Sequence, residues 1–325
     1  MNETINSNDP FYTTKYGKFY VGKCEEVINN LQLDGKVQLI LTSPPFPLNN
    51  KKRYGNLTGD DYLHWFSGLS ELFSRVLAPT GSIVIEMGNA WEPNRPVQSL
   101  LALKSLLEFV NNKNAGLRLC QEFICYNPAR LPSPAQWVTI NRIRAIDSFT
   151  HVWWMSNSDN PKADNRKILR PYSERMKQLL ETQKYNSGKR PSQHTISETG
   201  FLSNNNGSIS RNVLELERYD ANIEIRYPHS MLRIPNTQSN AYFISTCKKR
   251  GFVPHPARMP LELASFFIDF LTDENDIVLD PFGGSNTTGF CSERVKRNWI
   301  SIDDSKEYCE QSKIRFEELG YHFEG

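Results

Sequence analysis

The sequence lacks the features of a membrane or secreted protein. No run approaches the roughly 18 consecutive apolar residues of a membrane span, and the segment from Met1 to Asp9 is polar, so we expect neither a spanning helix nor a secretory signal. The six cysteines never form a CxxC pair, which argues against a zinc site and against a disulfide framework. We therefore expect no metal, no membrane partner and a reducing, cytoplasmic setting.

Neither sign of charge dominates the whole chain. Its 325 residues include 38 Lys and Arg against 36 Asp and Glu, a net charge of +2, and 38% are hydrophobic, which is enough for a packed core. The basic residues are unevenly spread, because residues 160–190 hold nine basic side chains against three acidic ones. This segment predicts contact with a polyanion, although a solvated helix face with ion pairs explains it equally well.

Short β-branched and aromatic runs alternate with helical patterns along much of the chain. We predict seven strands, near residues 18–23, 37–43, 82–87, 121–126, 149–155, 276–281 and 298–303. Apolar residues at helical spacing predict helices over 60–77, capped by Asp60 or Asp61, and over 261–271. The alternation indicates a mostly parallel sheet covered by helices. Residues 158–245 break this rhythm and are predicted to form an inserted, loop-rich domain.

A proline pair follows the second predicted strand, in the segment from Thr42 to Phe46. Two consecutive prolines fix φ and remove two N–H donors, so this loop offers only hydrogen-bond acceptors. At the carboxyl end of a parallel strand, the Ser43 hydroxyl and the Pro44 carbonyl could accept both protons of one nucleobase amine. Such acceptors favour the pyramidal amine, whose lone pair can attack, and the Phe46 ring could stack on the base. The alternative is a turn that is only rigid.

A glycine-rich segment follows the sixth predicted strand, between Asp280 and Gly289. It leads from a strand into a helix N-terminus, which lets a ligand approach backbone amides. GxGxxG, GKT and GKS are all absent, which disfavours pyrophosphate and nucleoside triphosphates. The next strand ends in Asp303, where an acid can bind ribose. S-adenosylmethionine, with its ribose and zwitterionic tail, fits this combination; the alternative is a tight turn that only packs helix on sheet.

Together the two motifs resemble those of the DNA amino-methyltransferases. Ser43-Pro44-Pro45-Phe46 resembles their catalytic motif, with the serine of the cytosine-N4 branch in first place, and the segment from Asp280 to Gly289 resembles their S-adenosylmethionine loop. Catalytic motif first and cofactor motif last is the order of the family's β group. The chain is also similar to PvuII-type modification methylases in further segments, namely Lys51-Lys52, Tyr54-Gly55-Asn56, Asn127-Pro128, Leu131-Pro132-Ser133-Pro134, Val152-Trp153-Trp154 and His255-Pro256-Ala257-Arg258.

The resemblance implies a fold and a reaction. The fold is an α/β, Rossmann-like methyltransferase fold, circularly permuted, with a mostly parallel sheet of about seven strands and a smaller inserted target-recognition domain. The implied domains are a catalytic half at 1–157, target recognition at 158–247 and a cofactor half at 248–325. The implied reaction is direct methyl transfer from S-adenosylmethionine to N4 of a cytosine flipped out of double-stranded DNA. The resemblance also allows a further partner, a cognate restriction endonuclease that acts separately.

The resemblance also assigns site residues. Those expected to act in catalysis are Ser43, Pro44, Pro45 and Phe46. Those expected to hold the cofactor are Asp280, Phe282, Gly283, Gly284, Ser285, Asn286, Thr287, Asp303 and His255. Those expected to bind DNA are Lys51, Lys52, Arg53, Arg166, Lys167, Arg170 and Arg175. A cap at a helix entry is an equal alternative for His255, and an ordinary exposed basic loop is one for residues 51–53.

Two positions depart from the family pattern. Asn286 stands where many members have a second glycine, and asparagine tolerates the left-handed backbone better than most residues. Lys23 or Cys24 stands where the family often has an acidic residue that meets the adenine amino group. The first departure leaves the loop able to form, whereas the second puts that adenine contact in doubt.

Other functions remain as alternatives on the sequence alone. Adenine-N6 methylation by the same fold is the nearest, because the two amines differ little. A DNA-binding protein of this fold without transfer activity is the second, and a nicotinamide dehydrogenase is a distant third because the glycine spacing is unsuitable. Cytosine-C5 methylation is disfavoured, since it requires a cysteine nucleophile and the sequence contains no Pro-Cys pair.

Overall fold

A computed structural model describes residues 9–46, 57–215, 236–255 and 258–323. The strands of this part of the chain are β1 (Tyr12–Thr13), β2 (Gly17–Val21), β3 (Val37–Thr42), β4 (Leu77–Gly88), β5 (Arg118–Tyr126), β6 (Phe149–Ser156), β7 (Gly188–Lys189), β8 (Thr195–Ile196), β9 (Val213–Glu215), β10 (Ile277–Asp280) and β11 (Asn298–Asp303). Its α-helices are α1 (Cys24–Asn30), α2 (Gly59–Val76), α3 (Leu101–Asn111), α4 (Glu174–Thr182), α5 (Asn236–Lys249), α6 (Leu261–Leu271), α7 (Thr287–Arg294) and α8 (Lys306–Glu317).

Nine of these strands form one sheet, in the order β1-β2-β11-β10-β3-β4-β6-β5-β9. Neighbours run parallel from β2 to β4, and the β5–β6 hairpin lies antiparallel beside β4. The predicted α/β fold with a mostly parallel sheet is therefore confirmed. All seven predicted strands are present, and two short strands that the sequence did not predict, β1 and β9, lie at the two edges.

Helices cover both faces of this sheet. Trp153 in β6 belongs to the core cluster that also contains Phe66 of α2 and Phe109 of α3. The next residue, Trp154, contacts Phe270 of α6, with ring centroids 5.2 Å apart. Because successive residues of a strand point to opposite faces, α2 and α3 lie on one face and α6 on the other. Every residue of β3 is buried, as expected for a parallel strand covered on both sides.

The long helix α2 follows the predicted pattern but begins earlier than predicted. Its apolar residues at three- and four-residue spacing, including Phe66 and Phe73, are buried. Thr58, with extended backbone, takes the cap position that we predicted for Asp60 or Asp61. The two aspartates instead lie in the first helical turn, where carboxylates interact favourably with the helix dipole.

The chain divides into two compact units. The first comprises residues 1–163, 212–220 and 233–325, and the second comprises 164–211 and 221–232. The first contains the nine-stranded sheet. The second contains α4, the β7–β8 hairpin and a main-chain pairing in which Arg170 and Ser208 exchange two hydrogen bonds of 2.8 Å. The predicted domain limits stay a prediction.

The cysteines are all free, and five of the six are buried. Among the residues that the structure describes, no three or more His, Cys, Asp or Glu side chains are grouped so as to hold a metal ion. No helix within these ranges has both the length and the apolar character that a membrane span requires.

Candidate active site

The two sequence motifs begin side by side at the carboxyl edge of the sheet. Strands β3 and β10 are neighbours and run parallel, with Ile40 opposite Leu279. At their ends the Thr42 hydroxyl donates a buried hydrogen bond of 2.7 Å to Asp280 Oδ1, across 238 residues of sequence. The proline-containing loop and the glycine-containing loop therefore start from one joined pair of strand ends.

The ring of Phe46 is held against a glycine at the end of β4. Pro44 is buried, and Ser43, Pro45 and Phe46 are half-buried. A Cβ atom added to Gly88 would overlap the Phe46 ring, so the ring rests directly on the main chain there. Only glycine allows this approach without displacement, and the position of the aromatic side chain is therefore fixed by the protein itself.

A buried carboxyl group that the sequence did not single out lies beside Ser43. Glu86 in β4 accepts a 3.0 Å hydrogen bond from the Thr150 hydroxyl and is also hydrogen-bonded to Ser43. Burial raises the pKa of Glu86 to about 7, against the opposing effects of the Thr150 bond, the charge of Arg130 and the Ser43 bond. The available signal was a lone acid inside an apolar strand, since such acids are almost never fully buried unless they are partnered.

The glycine loop packs tightly against its surroundings. Gly284 has a left-handed backbone with φ +48°, and a Cβ there would lie 3.2 Å from His255 Nε2. The His255 ring in turn meets Tyr308 edge-on, at 4.3 Å between centroids. A Cβ at Gly283 would approach Ser301 and Phe19 to 3.1 and 3.2 Å. Both glycines are therefore needed for close packing.

Asp303, at the end of β11, braces the same loop. Its two carboxylate oxygens accept hydrogen bonds from the main-chain amides of Gly284, at 2.8 Å, and Ser305, at 3.0 Å. Burial raises the pKa of Asp303 to about 6 although these two bonds oppose the shift. Burial likewise raises the pKa of Asp280 to about 6. Because each carboxylate oxygen has two lone pairs, Asp303 retains acceptor capacity for a ligand hydroxyl.

Two predicted cofactor residues direct their side chains into the protein. Asn286, left-handed with φ 56° and ψ 45°, caps α7 by accepting from Gly289 N at 3.0 Å. Its buried amide also accepts from Ser301 Oγ and donates to Tyr12 Oη. The Ser285 hydroxyl and carbonyl accept from the guanidinium of Arg315. Any contact that these two residues make with a ligand is therefore through the main chain.

The donor set of the glycine loop fits S-adenosylmethionine. The Thr287 hydroxyl, in the first turn of α7, is buried and has no hydrogen-bond partner among the described residues. It lies next to a helix N-terminus that favours a negatively charged group, and Asp303 lies at the end of the adjacent strand. A ligand with a ribose and a carboxylate-bearing tail satisfies these groups together.

An acidic side chain does lie close to the departure at Lys23 and Cys24. Glu25, in the first turn of α1, accepts a 2.8 Å hydrogen bond from Trp65 Nε1, and the Cys24 thiol donates to it. The Trp65 ring meets Phe282 of the glycine loop edge-on, at 5.7 Å between centroids. The sequence did not reveal this acid, because only the fold brings α1 and α2 together here.

The residues predicted to bind DNA fall in different places. Lys51, Lys52 and Arg53 lie outside the described residues, as do Pro256 and Ala257 of the segment after His255. The predicted residues of the basic segment lie in the second unit, and they are Arg166, Lys167, Arg170 and Arg175. Among them, Arg166 is exposed and forms an ion pair of 2.8 Å with Asp164, so its charge is partly offset.

Known proteins resemble the chain over nearly its full length. A family profile described as DNA methylase, of the N6/N4 type, matches residues 37–314. The type II methyltransferase M.PvuII of Proteus hauseri is 38% identical over 323 residues, which cover 97% of this chain and 90% of that protein. The solved structure of the cytosine-N4-specific PvuII DNA methyltransferase matches with a TM-score of 0.71 at 32% identity, covering 95% of this chain and 89% of the other.

A more distant structure supports the fold alone. It is a DNA modification methylase described as putative, from Thermus thermophilus, solved in complex with S-adenosyl-L-methionine. It is 17% identical, with a TM-score of 0.51, and covers 95% of this chain and 97% of its own. The chain belongs to the N6/N4 family of DNA methylases, the enzymes that take their methyl group from S-adenosylmethionine.

Proposed function

We propose that this chain is a site-specific DNA methyltransferase that methylates the exocyclic N4 amine of a cytosine flipped out of double-stranded DNA. The observation that carries the proposal is the buried Thr42–Asp280 hydrogen bond, which joins the serine-headed catalytic loop to the cofactor loop at one sheet edge. The PvuII relative, which is cytosine-N4-specific by name, supports the choice of amine.

The acceptors of the proline loop orient the amine. The Ser43 hydroxyl and the Pro44 carbonyl accept its two protons, and no N–H of Pro44 or Pro45 competes. Phe46, resting on Gly88, stacks on the base and fixes its plane. The bound cofactor supplies a methyl group on a positively charged sulfur, which is already activated. Positioning of the amine is therefore the main contribution of these residues, worth up to about 7–11 kcal/mol in well-oriented reactions.

Glu86 provides a destination for the proton that the amine loses. Because the sulfur of the cofactor would keep the electron pair of the bond to the methyl group, the methylated amine would have one proton to lose. The Ser43 hydroxyl accepts that proton and passes its own to Glu86, to which it is hydrogen-bonded. A pKa of about 7 suits this role, since a general base works best when its pKa lies near the operating pH.

The glycine loop and its neighbours hold the cofactor. We assign the ribose to Asp303 and the zwitterionic tail to the start of α7, with Thr287 and the main chain of residues 282–286 as polar contacts. His255, packed on Gly284, closes one side of the loop. Asp280 acts indirectly, because its carboxyl group is used in bonds to Thr42, Phe282 and Thr288.

We assign DNA contacts to the basic residues of the two predicted segments. Lys51, Lys52 and Arg53 follow the catalytic loop in sequence, where phosphates beside a flipped nucleotide would lie. Arg166, Lys167, Arg170 and Arg175 belong to the target-recognition region, proposed to span 158–247. The role in the cell is modification within a restriction-modification system, with a separate endonuclease as the companion.

Nucleoside analysis of methylated DNA tests this function. The purified chain, S-adenosylmethionine and bacterial DNA are incubated, and the digested nucleosides are identified by mass spectrometry. We expect N4-methylcytosine, confined to one short sequence when the DNA is then sequenced with detection of modified bases. N6-methyladenine as the sole product would show that the chain methylates adenine and not cytosine. DNA binding without any methylated product would reject the proposal.

A further inference from the structure

The connection between β5 and β6, residues 127–148, lies at the same sheet edge as the candidate active site. Strand β6 starts beside the end of β4, where Thr150 is opposite Gly88. The two ends of the connection are joined by a 2.7 Å hydrogen bond from Asn127 N to the Ser148 carbonyl. We call this connection the arch.

The arch begins at the strand end that holds Glu86, the partner of Ser43. Arg130 donates a 2.9 Å hydrogen bond to the carbonyl of Phe149, and its charge acts on Glu86, the carboxyl group bonded to Ser43. The following residue, Leu131, is 79% exposed. An exposed leucine therefore follows directly after an arginine that is anchored at the strand end holding Glu86.

The arch is internally ordered while its aliphatic side chains face water. A π-helical turn at Gln136–Ile140 is closed by a side-chain hydrogen bond of 3.0 Å from Gln136 to Asn141. Asn89, at the end of β4, donates a 2.9 Å bond to Asp147 and fixes the far end. The large aliphatic residues that remain exposed are Leu131, Ile140, Ile143 and Ile146. Four exposed large aliphatic residues within 16 positions favour an interaction surface over an ordinary solvated loop.

The charge of the arch indicates which molecule that is. It carries three arginines, at positions 130, 142 and 144, against a single acid, Asp147. The guanidinium of Arg144 lies over the Trp91 ring, with its carbon 2.9 Å from the ring centroid. Aliphatic side chains flanked by arginines are the combination that DNA-bending proteins insert between base pairs and anchor on phosphates.

We propose that the arch enters the DNA duplex and that Leu131 occupies the space left by the flipped cytosine, with the exposed Arg142 on an adjoining phosphate. The inference rests on the proposed function, since it requires a flipped base. Extrusion of a base costs unpairing and unstacking energy, and a leucine in the vacated space keeps the neighbouring bases apart and slows the return of the cytosine.

The variant Leu131→Ala tests the inference on two duplexes that carry the methylated sequence once sequencing has located it. One duplex has a normal C·G pair at the target and the other a mispaired cytosine. We expect the single-turnover methylation rate of L131A to fall about tenfold on the paired duplex and less than about twofold on the mispaired one, where the unpairing cost is already reduced. With 2-aminopurine at the target position, the fluorescence gain on binding should fall in parallel.

The matched control is Leu107→Ala in α3, since Leu107 is 59% exposed but lies outside the arch. It should methylate both duplexes as the wild type does, and both variants should bind S-adenosylmethionine with unchanged affinity by calorimetry. Equal rate losses of L131A on the two duplexes, or an unchanged 2-aminopurine signal, would overturn the inference. A wild-type dimer that L131A converts to a monomer would also overturn it, because a second copy would then cover the arch. Failure of the proposed function would be seen separately, as the absence of N4-methylcytosine in DNA treated with the wild type.

Discussion

At the scale of single residues, the candidate site depends on a glycine that lies behind the Phe46 ring. Gly88 lets the Phe46 ring rest on the main chain of β4. A side chain of any size at this position would push the ring away from the plane in which we propose that it receives the base. The position of the Phe46 ring thus depends on the lack of a Cβ atom at Gly88.

The variant Gly88→Ala should lose activity without losing the cofactor. Its added methyl group overlaps Phe46, so we expect kcat to fall about tenfold or more, as misplacement by about 1 Å can cause, while the Kd for S-adenosylmethionine stays unchanged by calorimetry. Gly68→Ala is the matched control, because Gly68 lies within α2 with no atom within 4 Å of the added Cβ. That change should leave kcat unchanged and stabilise the helix by about 0.5–1 kcal/mol. Full activity in G88A would show that the Phe46 position is immaterial.

The variant Glu86→Gln should alter the pH dependence of the reaction. Since the ionised carboxylate is the proposed proton acceptor and its pKa is about 7, kcat of the wild type should rise with pH through about 7. In E86Q we expect kcat to fall by about 10²-fold or more and this rise to disappear. The measurement is a pH–rate profile under single-turnover conditions. A variant that keeps the wild-type profile would remove Glu86 from the mechanism.

Folding provides a second measurement on Glu86. Its pKa in the folded protein, about 7, lies above its ordinary value of 4.5. The unfolded chain therefore releases this proton at lower pH, and the wild type loses stability relative to E86Q as pH rises from about 4.5 to about 7. Urea unfolding of both proteins across this pH range measures the difference. A difference in unfolding free energy that is independent of pH would contradict the raised pKa.

At the scale of elements, the turn from β10 into α7 depends on Asn286. The Asn286 side chain caps the helix and forms hydrogen bonds with Ser301 and Tyr12, and the main chain of Asn286 is left-handed. These contacts explain how the loop closes although a second glycine is missing there. The asparagine replaces the freedom of glycine with hydrogen bonds.

Substitutions at Asn286 should separate the backbone contribution from the hydrogen bonds. We expect Asn286→Ala to destabilise by about 2–4 kcal/mol through the lost cap and buried bonds, and Asn286→Gly to destabilise by about 1 kcal/mol less, since glycine relieves the left-handed strain. The same pair at Asn275, exposed and also left-handed at φ 68°, is the control for the backbone contribution. Urea unfolding gives all four values. Equal losses at the two sites would mean that the buried bonds of Asn286 contribute nothing.

The sequence predicted the long strands better than the short ones, for physical reasons, although it did not predict helices α3, α5 and α8. Buried parallel strands such as β3 and β10 read as apolar runs, so all seven major strands were predicted. Edge strands β1 and β9 have two and three residues, too few to show a period. The cap of α2 was misplaced because Asp60 and Asp61 suit both a cap and a first turn.

The sequence predicted the residues of the two loops but not their neighbours. Ser43 and Gly284 were visible as motifs, because their local sequence carries the backbone geometry. Glu86 and Glu25 were not, since the hydrogen-bond partners of each lie on a strand or helix that is distant in the chain. The hydrogen bond from the Asn286 side chain to Tyr12 could not be predicted either, because only strand pairing within the sheet brings these two residues together.

At the scale of the whole molecule, cofactor binding and amine binding should be separable. A ligand that binds only the folded state stabilises it by about 2.7 kcal/mol at 100 times its Kd. We expect S-adenosylmethionine to raise the melting temperature of wild type and of Ser43→Ala equally, because we assign Ser43 to the amine pocket, while S43A loses methyl transfer. Asp303→Asn should lose most of the shift. Thermal melts with and without the cofactor measure this, and an unchanged shift in D303N would remove Asp303 from the cofactor site.

The Thr42–Asp280 pairing also has a consequence for synthesis on the ribosome. The strand that flanks β3 on one side, β10, is 238 residues later at this point, so at about 5–20 residues per second it emerges roughly 10–50 s after β3. Throughout that interval one edge of a strand that is entirely buried in the finished fold has no partner, a state that invites aggregation. We therefore expect the nascent chain to be most prone to aggregation until its last quarter is made, and faster elongation to shorten that interval.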